Sequence, residues 1–110
     1  MEEDLVAWGR VLRIETTGRR TGRPARATVG YVERGEHSVV VAAGSADADW
    51  GLNLLADARC SVTIGAETWA ASARPLEGAE HAAAVRDLIL RYGTPAETLG
   101  AGPAFELRRV

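Results

Sequence analysis

Apolar and polar residues alternate along several short stretches of the chain, and two other stretches carry helical spacing. Val11-Leu12-Arg13-Ile14-Glu15-Thr16 alternates from Leu12 onward, as a half-buried strand does. Ala27–Val32 and Ser38–Ala43 read as second and third strands, joined through Glu33-Arg34-Gly35-Glu36, a glycine-containing hairpin link. Cys60-Ser61-Val62-Thr63-Ile64 alternates cleanly, turns at Gly65-Ala66-Glu67, and has a plausible partner in Thr68–Arg74, though three alanines weaken the β signal there. Pro103–Val110 alternates again. Ala79–Tyr92 is the strongest helix: Val85, Leu88, Ile89 and Tyr92 share one face, with Glu80 in the first turn and Arg91 in the last. A shorter helix is expected over 49–57, capped by Asp47 or Asp49, with Trp50, Leu54 and Leu55 near one face. Residues 2–9 suggest a helical start in which Leu5, Val6 and Trp8 are available to pack. Thr94-Pro95-Ala96-Glu97 has the form of a capping box. The predicted order is β-β-β, short α, β-β, α, β: mainly β, of α+β class, with about six antiparallel strands curled or closed under two or three helices.

Composition narrows the class. The 110 residues suit one domain spanning 1–110, and 46% apolar with 25% charged residues is ordinary for a globular protein. The first residues are acidic, unlike a signal peptide, and no apolar run reaches about 18 residues, so a cytoplasmic protein is expected. A single cysteine, Cys60, excludes an internal disulfide framework. It shares strand parity with Val62 and Ile64, which suggests a buried thiol rather than a nucleophile. The net charge of −2 argues against a nucleic-acid partner. A domain this small has a modest core, so a homodimer that buries more apolar surface is expected.

The charge is unevenly placed. All thirteen basic residues are arginine, and Arg19, Arg20, Arg23 and Arg26 lie within eight positions that contain no acid. Gly18 and Gly22 give the same stretch a backbone free to turn tightly. Arginine's rigid fork of donors suits phosphate and carboxylate. The stretch lacks the Gly-Lys-Ser/Thr of a Walker loop, and a strand follows it where a dinucleotide fingerprint needs a helix. It therefore reads as a strand–loop–strand anion clamp, although a solvated hairpin tip would have the same composition.

Other candidates carry less. Gly44-Ser45 precedes the short helix, whose free N–H groups favour an anion. Trp50 suits core packing better than a cofactor platform, and Asn53 can cap, bond a strand or touch a ligand. His37 and His81 stand apart from each other and from any ligand cluster, so both are assigned to the surface and no metal is expected. No acid–base pair stands out, so no catalytic residue is assigned, and any chemistry would come from a bound cofactor.

Thr16-Thr17-Gly18-Arg19-Arg20-Thr21-Gly22-Arg23-Pro24, then Val39-Val40-Val41-Ala42-Ala43, then Trp50-Gly51-Leu52-Asn53-Leu54 follow one another in an order that resembles the deazaflavin-dependent nitroreductase and quinone reductase family. The likeness covers about residues 11–92. It implies a split β-barrel related to FMN-binding oxidoreductases. It also implies hydride transfer from reduced coenzyme F-420 to a small organic acceptor such as a quinone, nitro compound or activated alkene. The resemblance assigns Arg19, Arg20 and Thr21 to the cofactor's phosphate or glutamate tail, with Arg26 in the same basic cleft. It assigns Ala43, Gly44 and Ser45 to the cofactor groove, Trp50 and Gly51 to the ring, and Asn53 to the same constellation. An FMN-dependent enzyme and a non-catalytic flavin- or deazaflavin-binding protein are the alternatives within the fold. The sequence departs from the family pattern at Ala43-Gly44-Ser45, at Gly51 where tyrosine is usual, and in a tail lacking later pocket tyrosines.

Overall fold

A computed structural model describes residues 2–93 and 99–110 of the chain. Its elements are α1 (Glu2–Ala7), β1 (Leu12–Thr17), β2 (Pro24–Val29), β3 (Val32–Glu33), β4 (Ser38–Ala42), α2 (Asp49–Ala56), β5 (Arg59–Ile64), β6 (Glu67–Leu76), α3 (Gly78–Tyr92) and β7 (Ala104–Arg109). The strands form one sheet in the order β2-β1-β5-β6-β7-β4-β3, with every neighbouring pair antiparallel. The two edge strands, β2 and β3, are joined by Gly30-Tyr31 alone. The sheet therefore curls into a half-barrel with its edges brought together by the chain itself.

This seam divides one expected strand in two. The predicted second strand, 27–32, is two strands: β2 begins earlier, at Pro24, and the chain breaks at Gly30 before β3. The reason is a close approach. A Cβ at residue 30 would stand 2.8 Å from the Tyr92 ring. Tyr92 comes from the end of α3, and its hydroxyl accepts from Tyr31 N–H at 2.9 Å. The same hydroxyl lies 2.7 Å from the Arg10 carbonyl and 3.1 Å from that of Tyr31, so its one proton has an acceptor in either direction. Tyr31 is buried and donates its own hydroxyl to Gly9 O at 2.6 Å. Arg91 stacks on both rings, 4.5 Å from the centre of Tyr31 and 5.3 Å from that of Tyr92.

Strand alternation sorts the apolar residues into two layers. Leu12, Ile14, Val39, Val41, Cys60, Val62, Ala71, Ala73, Phe105 and Leu107 fill the inside of the curl, with Leu54 of α2 plugging one end. The opposite parity of β4 and β7 places Val40, Ala42 and Ala104 on the outside, where Ala84 and Leu88 of α3 cover them. The three alanines of β6 are explained by this arrangement: Ala71 and Ala73 face a core already filled by larger neighbours, while Ala70 is exposed. An ion-pair ring ties α3 down at its start. Arg74 reaches Glu80 and Glu106, and Arg34 reaches the same two carboxylates. The bonds from Arg74 hold Glu80 below the usual carboxylate range.

Helix starts differ from expectation in one respect. The residue before α2 is Ala48, and no side chain caps it. Asp47 instead accepts from Ser45 Oγ at 2.8 Å, and Asp49 pairs with Arg19. Val6 of α1 is buried, while Trp8, just beyond the helix, is 72% exposed. The Thr94–Glu97 capping box lies outside the described residues. Among the described residues, no helix is long and apolar enough to cross a membrane.

Candidate functional site

The β1–β2 connection is the arginine loop, and hydrogen bonds shape it from both sides. Gly18 N–H donates to Arg23 O and Gly22 N–H to Gly18 O, each at 2.8 Å. Thr21 Oγ1 turns inward and accepts from Arg23 N–H at 3.2 Å. Both glycines are required here: Gly22 has φ +74°, and a Cβ on Gly18 would lie 2.9 Å from Arg23 O.

Asn53 pins this loop to α2. Its Oδ1 accepts from Arg19 N–H at 3.1 Å and from Arg19 Nη1 at 2.9 Å. Its Nδ2 donates to Thr16 Oγ1 at 3.1 Å. Asn53 and Thr16 are each 2% exposed, so the amide is matched away from water. Arg19 also reaches the side chain of Asp49 at 3.2 Å. Asp49 is exposed, so that ion pair adds little to the buried amide contacts.

Arg19 and Asn53 thus engage each other, and the outward donors of the loop are different groups. Arg20 and Arg23 are exposed, and neither guanidinium meets a carboxylate among the described residues. The backbone N–H groups of Arg20 and Thr21 find no acceptor there either. Two guanidiniums and two amides at one loop tip are donors of the kind an anion accepts from. Beside it lies a cavity of about 320 Å³, lined in part by Thr16, Thr17, Gly22, Arg59 and Cys60.

The remaining predicted residues fall into separate positions. Arg26 lies on the outer face of β2 and donates to Glu15 at 2.9 Å, away from the loop tip. Ala43 and Gly51 are buried together against Pro103. Trp50 is half-buried and packs on Phe105, ring centres 6.0 Å apart. Gly44 and Ser45 are exposed and form the turn that leads into α2, whose Asp49 meets Arg19. The structure thus brings the loop Arg19–Thr21, the turn Gly44-Ser45 and Asn53 to the surroundings of one helix.

Two groups near the loop have shifted acidities. Burial pushes the Cys60 thiol up to about 11, which suits packing and not nucleophilic attack. Hydrogen bonds from Arg59 bring Asp57 down to about 2. Another cavity, about 480 Å³, opens elsewhere, between the β3–β4 and β5–β6 hairpins. Glu33, Glu36 and Glu67 line it with His37 and Arg109, an acidic setting unsuited to a polyanion.

His81 corrects its surface assignment. It is half-buried in the first turn of α3, with Nε2 2.9 Å from Gly102 O. Spacing gave no sign of this, because Gly102 reaches α3 only through the tertiary fold.

Several solved structures share the fold. An F420-H2-dependent reductase (FDR-A) aligns with a TM-score of 0.75 at 24% identity, over 90% of this chain and 94% of that one. A domain-swapped dimer aligns with a TM-score of 0.74 at 21% identity, over 96% and 92%. HutZ, a heme storage protein from Vibrio cholerae, aligns with a TM-score of 0.75 at 19% identity, over 98% and 87%. No curated protein sequence matches the chain. A family profile does: "F420H(2)-dependent quinone reductase" matches residues 5–94, which include β1 through α3, the arginine loop and α2. The chain belongs to that family of oxidoreductases dependent on the reduced deazaflavin coenzyme F-420.

Proposed function

We propose that the protein transfers a hydride from reduced coenzyme F-420 to a quinone-type acceptor, with the arginine loop as the cofactor's anchor. The observation that carries this reading is the surplus of donors at the loop tip: Arg20, Arg23 and the amides of Arg20 and Thr21. The anionic end of the cofactor, a phosphate and a glutamate tail, needs such a surplus. In this reading Arg20, Arg23 and Thr21 hold the anion. Arg19 and Asn53 hold the loop still, so its donors are in place before the ligand arrives. Gly44 and Ser45 form the accessible rim on the other side of the N-terminal turn of α2. Ala43, Trp50 and Gly51 support that rim from the core.

The cofactor supplies the hydride when bound. The chain's part is to bind, to orient and to keep water from the reacting centre. Of the groups near the loop, Cys60 keeps its proton and Asp57 is held ionised against Arg59. The proposal therefore assigns no proton transfer to either. Nitro compounds and activated alkenes are further acceptor classes within this reading, and a homodimer is its expected assembly.

The test is a titration of the protein with coenzyme F-420 followed by ring fluorescence. Stopped-flow oxidation of the reduced cofactor with and without a soluble quinone follows. Saturable binding and quinone-dependent oxidation support the proposal. Tight binding of FMN with no binding of F-420 would move the protein to the flavin alternative.

A further inference from the structure

The turn that leads into α2 is packed from behind by a segment beyond the residues that match the family. Gly102 is buried, and a Cβ there would overlap the Ser45 carbonyl oxygen and stand 2.6 Å from its carbonyl carbon. No residue but glycine lets the two backbones lie this close. Pro103 continues the contact: its carbonyl accepts from Ala43 N–H at 2.9 Å, and its ring sits 3.1 Å from where a Cβ on Gly51 would be. Gly102 and Pro103 thus lie across the base of the turn and against α2. The family match ends at residue 94, so this strap lies outside it.

One side chain fastens the strap to α3. His81 Nε2 lies 2.9 Å from Gly102 O. A carbonyl has no proton to give, so Nε2 carries the proton and donates it. The bond spans 21 residues and links α3 to the strap at the point where it touches Ser45.

We propose that His81 is a positioning residue for the Gly44-Ser45 rim. Its bond to Gly102 presses the strap against Ser45 and limits how far the turn into α2 can open. The geometric part stands on the bond and the backbone contact. The effect on ligand binding rests on the reading above, in which Gly44 and Ser45 border the cofactor.

The experiment uses the full chain with His81→Leu, which keeps an apolar side chain and removes the donor, and His81→Gln, which returns an N–H near the Nε2 position. Amide hydrogen exchange is measured first, without cofactor, at a temperature where circular dichroism shows every variant folded. The expected result is exchange about three- to tenfold faster in the 43–50 segment of His81→Leu, the worth of one hydrogen bond. The 18–23 segment is unchanged, and His81→Gln returns to the wild-type rate. Equal exchange over 43–50 in all three proteins, or a uniform rise across the chain, overturns the proposal. Coenzyme F-420 affinity is measured second, with about a three- to tenfold loss in His81→Leu and recovery in His81→Gln. If the exchange result holds but wild type does not bind the cofactor, the strap stands and the cofactor reading fails. Binding by all three variants with equal affinity removes His81 from cofactor positioning.

Discussion

At one end of the β1–β2 hairpin, guanidiniums and loop amides lack acceptors among the described residues; at the other, both tyrosine hydroxyls meet partners and Arg91 lies over their rings. The two ends are fixed by one register, with Thr17 opposite Pro24 beside the arginine loop and Leu12 opposite Val29 beside the seam. At the seam, the Tyr31 N–H, carbonyl and hydroxyl all meet partners, and Arg91 lies over two rings. At the loop, one arginine of three is consumed by Asn53 and Asp49, and the other two point outward. Arginine count does not distinguish a closure from a binding site. The balance of donors and acceptors does.

The largest expected effect separates the two ends. Arg20→Glu with Arg23→Glu should weaken coenzyme F-420 binding by about a hundredfold or more, since charge-assisted bonds contribute about 1.5–3 kcal/mol each. Both side chains are exposed, so thermal stability should stay within about 0.5 kcal/mol of wild type. A comparable loss of stability in this variant would show that the arginines brace the fold.

Asn53→Ala tests the link between anchoring and binding. It leaves Arg19 N–H and Thr16 without their buried partner, so stability should fall by about 1–3 kcal/mol in urea unfolding. Cofactor affinity should fall with it, because the loop loses its tie to α2. At the seam, Tyr92→Phe removes the hydroxyl contacts yet keeps the ring against Gly30. It should cost about 1–2 kcal/mol of stability, with cofactor affinity unchanged. If Tyr92→Phe weakens binding as much as Asn53→Ala, the two ends are not independent.

Smaller effects follow from the acidities. Cys60 should react slowly with iodoacetamide at pH 8, and its rate should climb with pH toward about 11. Fast labelling of the folded protein at pH 7 would contradict a buried thiol. Asp57 is held at about 2 against an ordinary 3.8. Between those values the unfolded chain binds more protons than the folded one, so stability is lost as pH falls through this window. Asp57→Asn should make acid unfolding slightly less steep, and an identical profile would show that the Arg59 pair contributes nothing measurable.

Much of the fold was legible because alternation and turn chemistry acted locally. The hairpins at Gly35 and Gly65, the start of β4 and the span of α3 follow from the residues themselves. The break at Gly30 was not legible, since it depends on Tyr92, which is 61 residues from Tyr31 in the chain. The arginine loop stood out through its charge and glycines, but sequence could not say which arginine faces outward. That depends on Asn53, 34 residues on, which captures Arg19, while Arg20 and Arg23 meet no carboxylate among the described residues. Asn53 had three readings in sequence, and its contacts show it bonding Thr16 of a neighbouring strand as well as the loop. The role of His81 is not legible either, since its acceptor, Gly102, lies 21 residues on and meets α3 only through the fold.

The central claim is that the outward donors of the arginine loop anchor the cofactor. The most direct measurement is a fluorescence titration with coenzyme F-420 of wild type, Arg20→Glu/Arg23→Glu and Tyr92→Phe, at one salt concentration. Saturable binding by wild type and by Tyr92→Phe, with about a hundredfold loss in the arginine variant, is the predicted result. Undiminished binding by a folded Arg20→Glu/Arg23→Glu protein would contradict it.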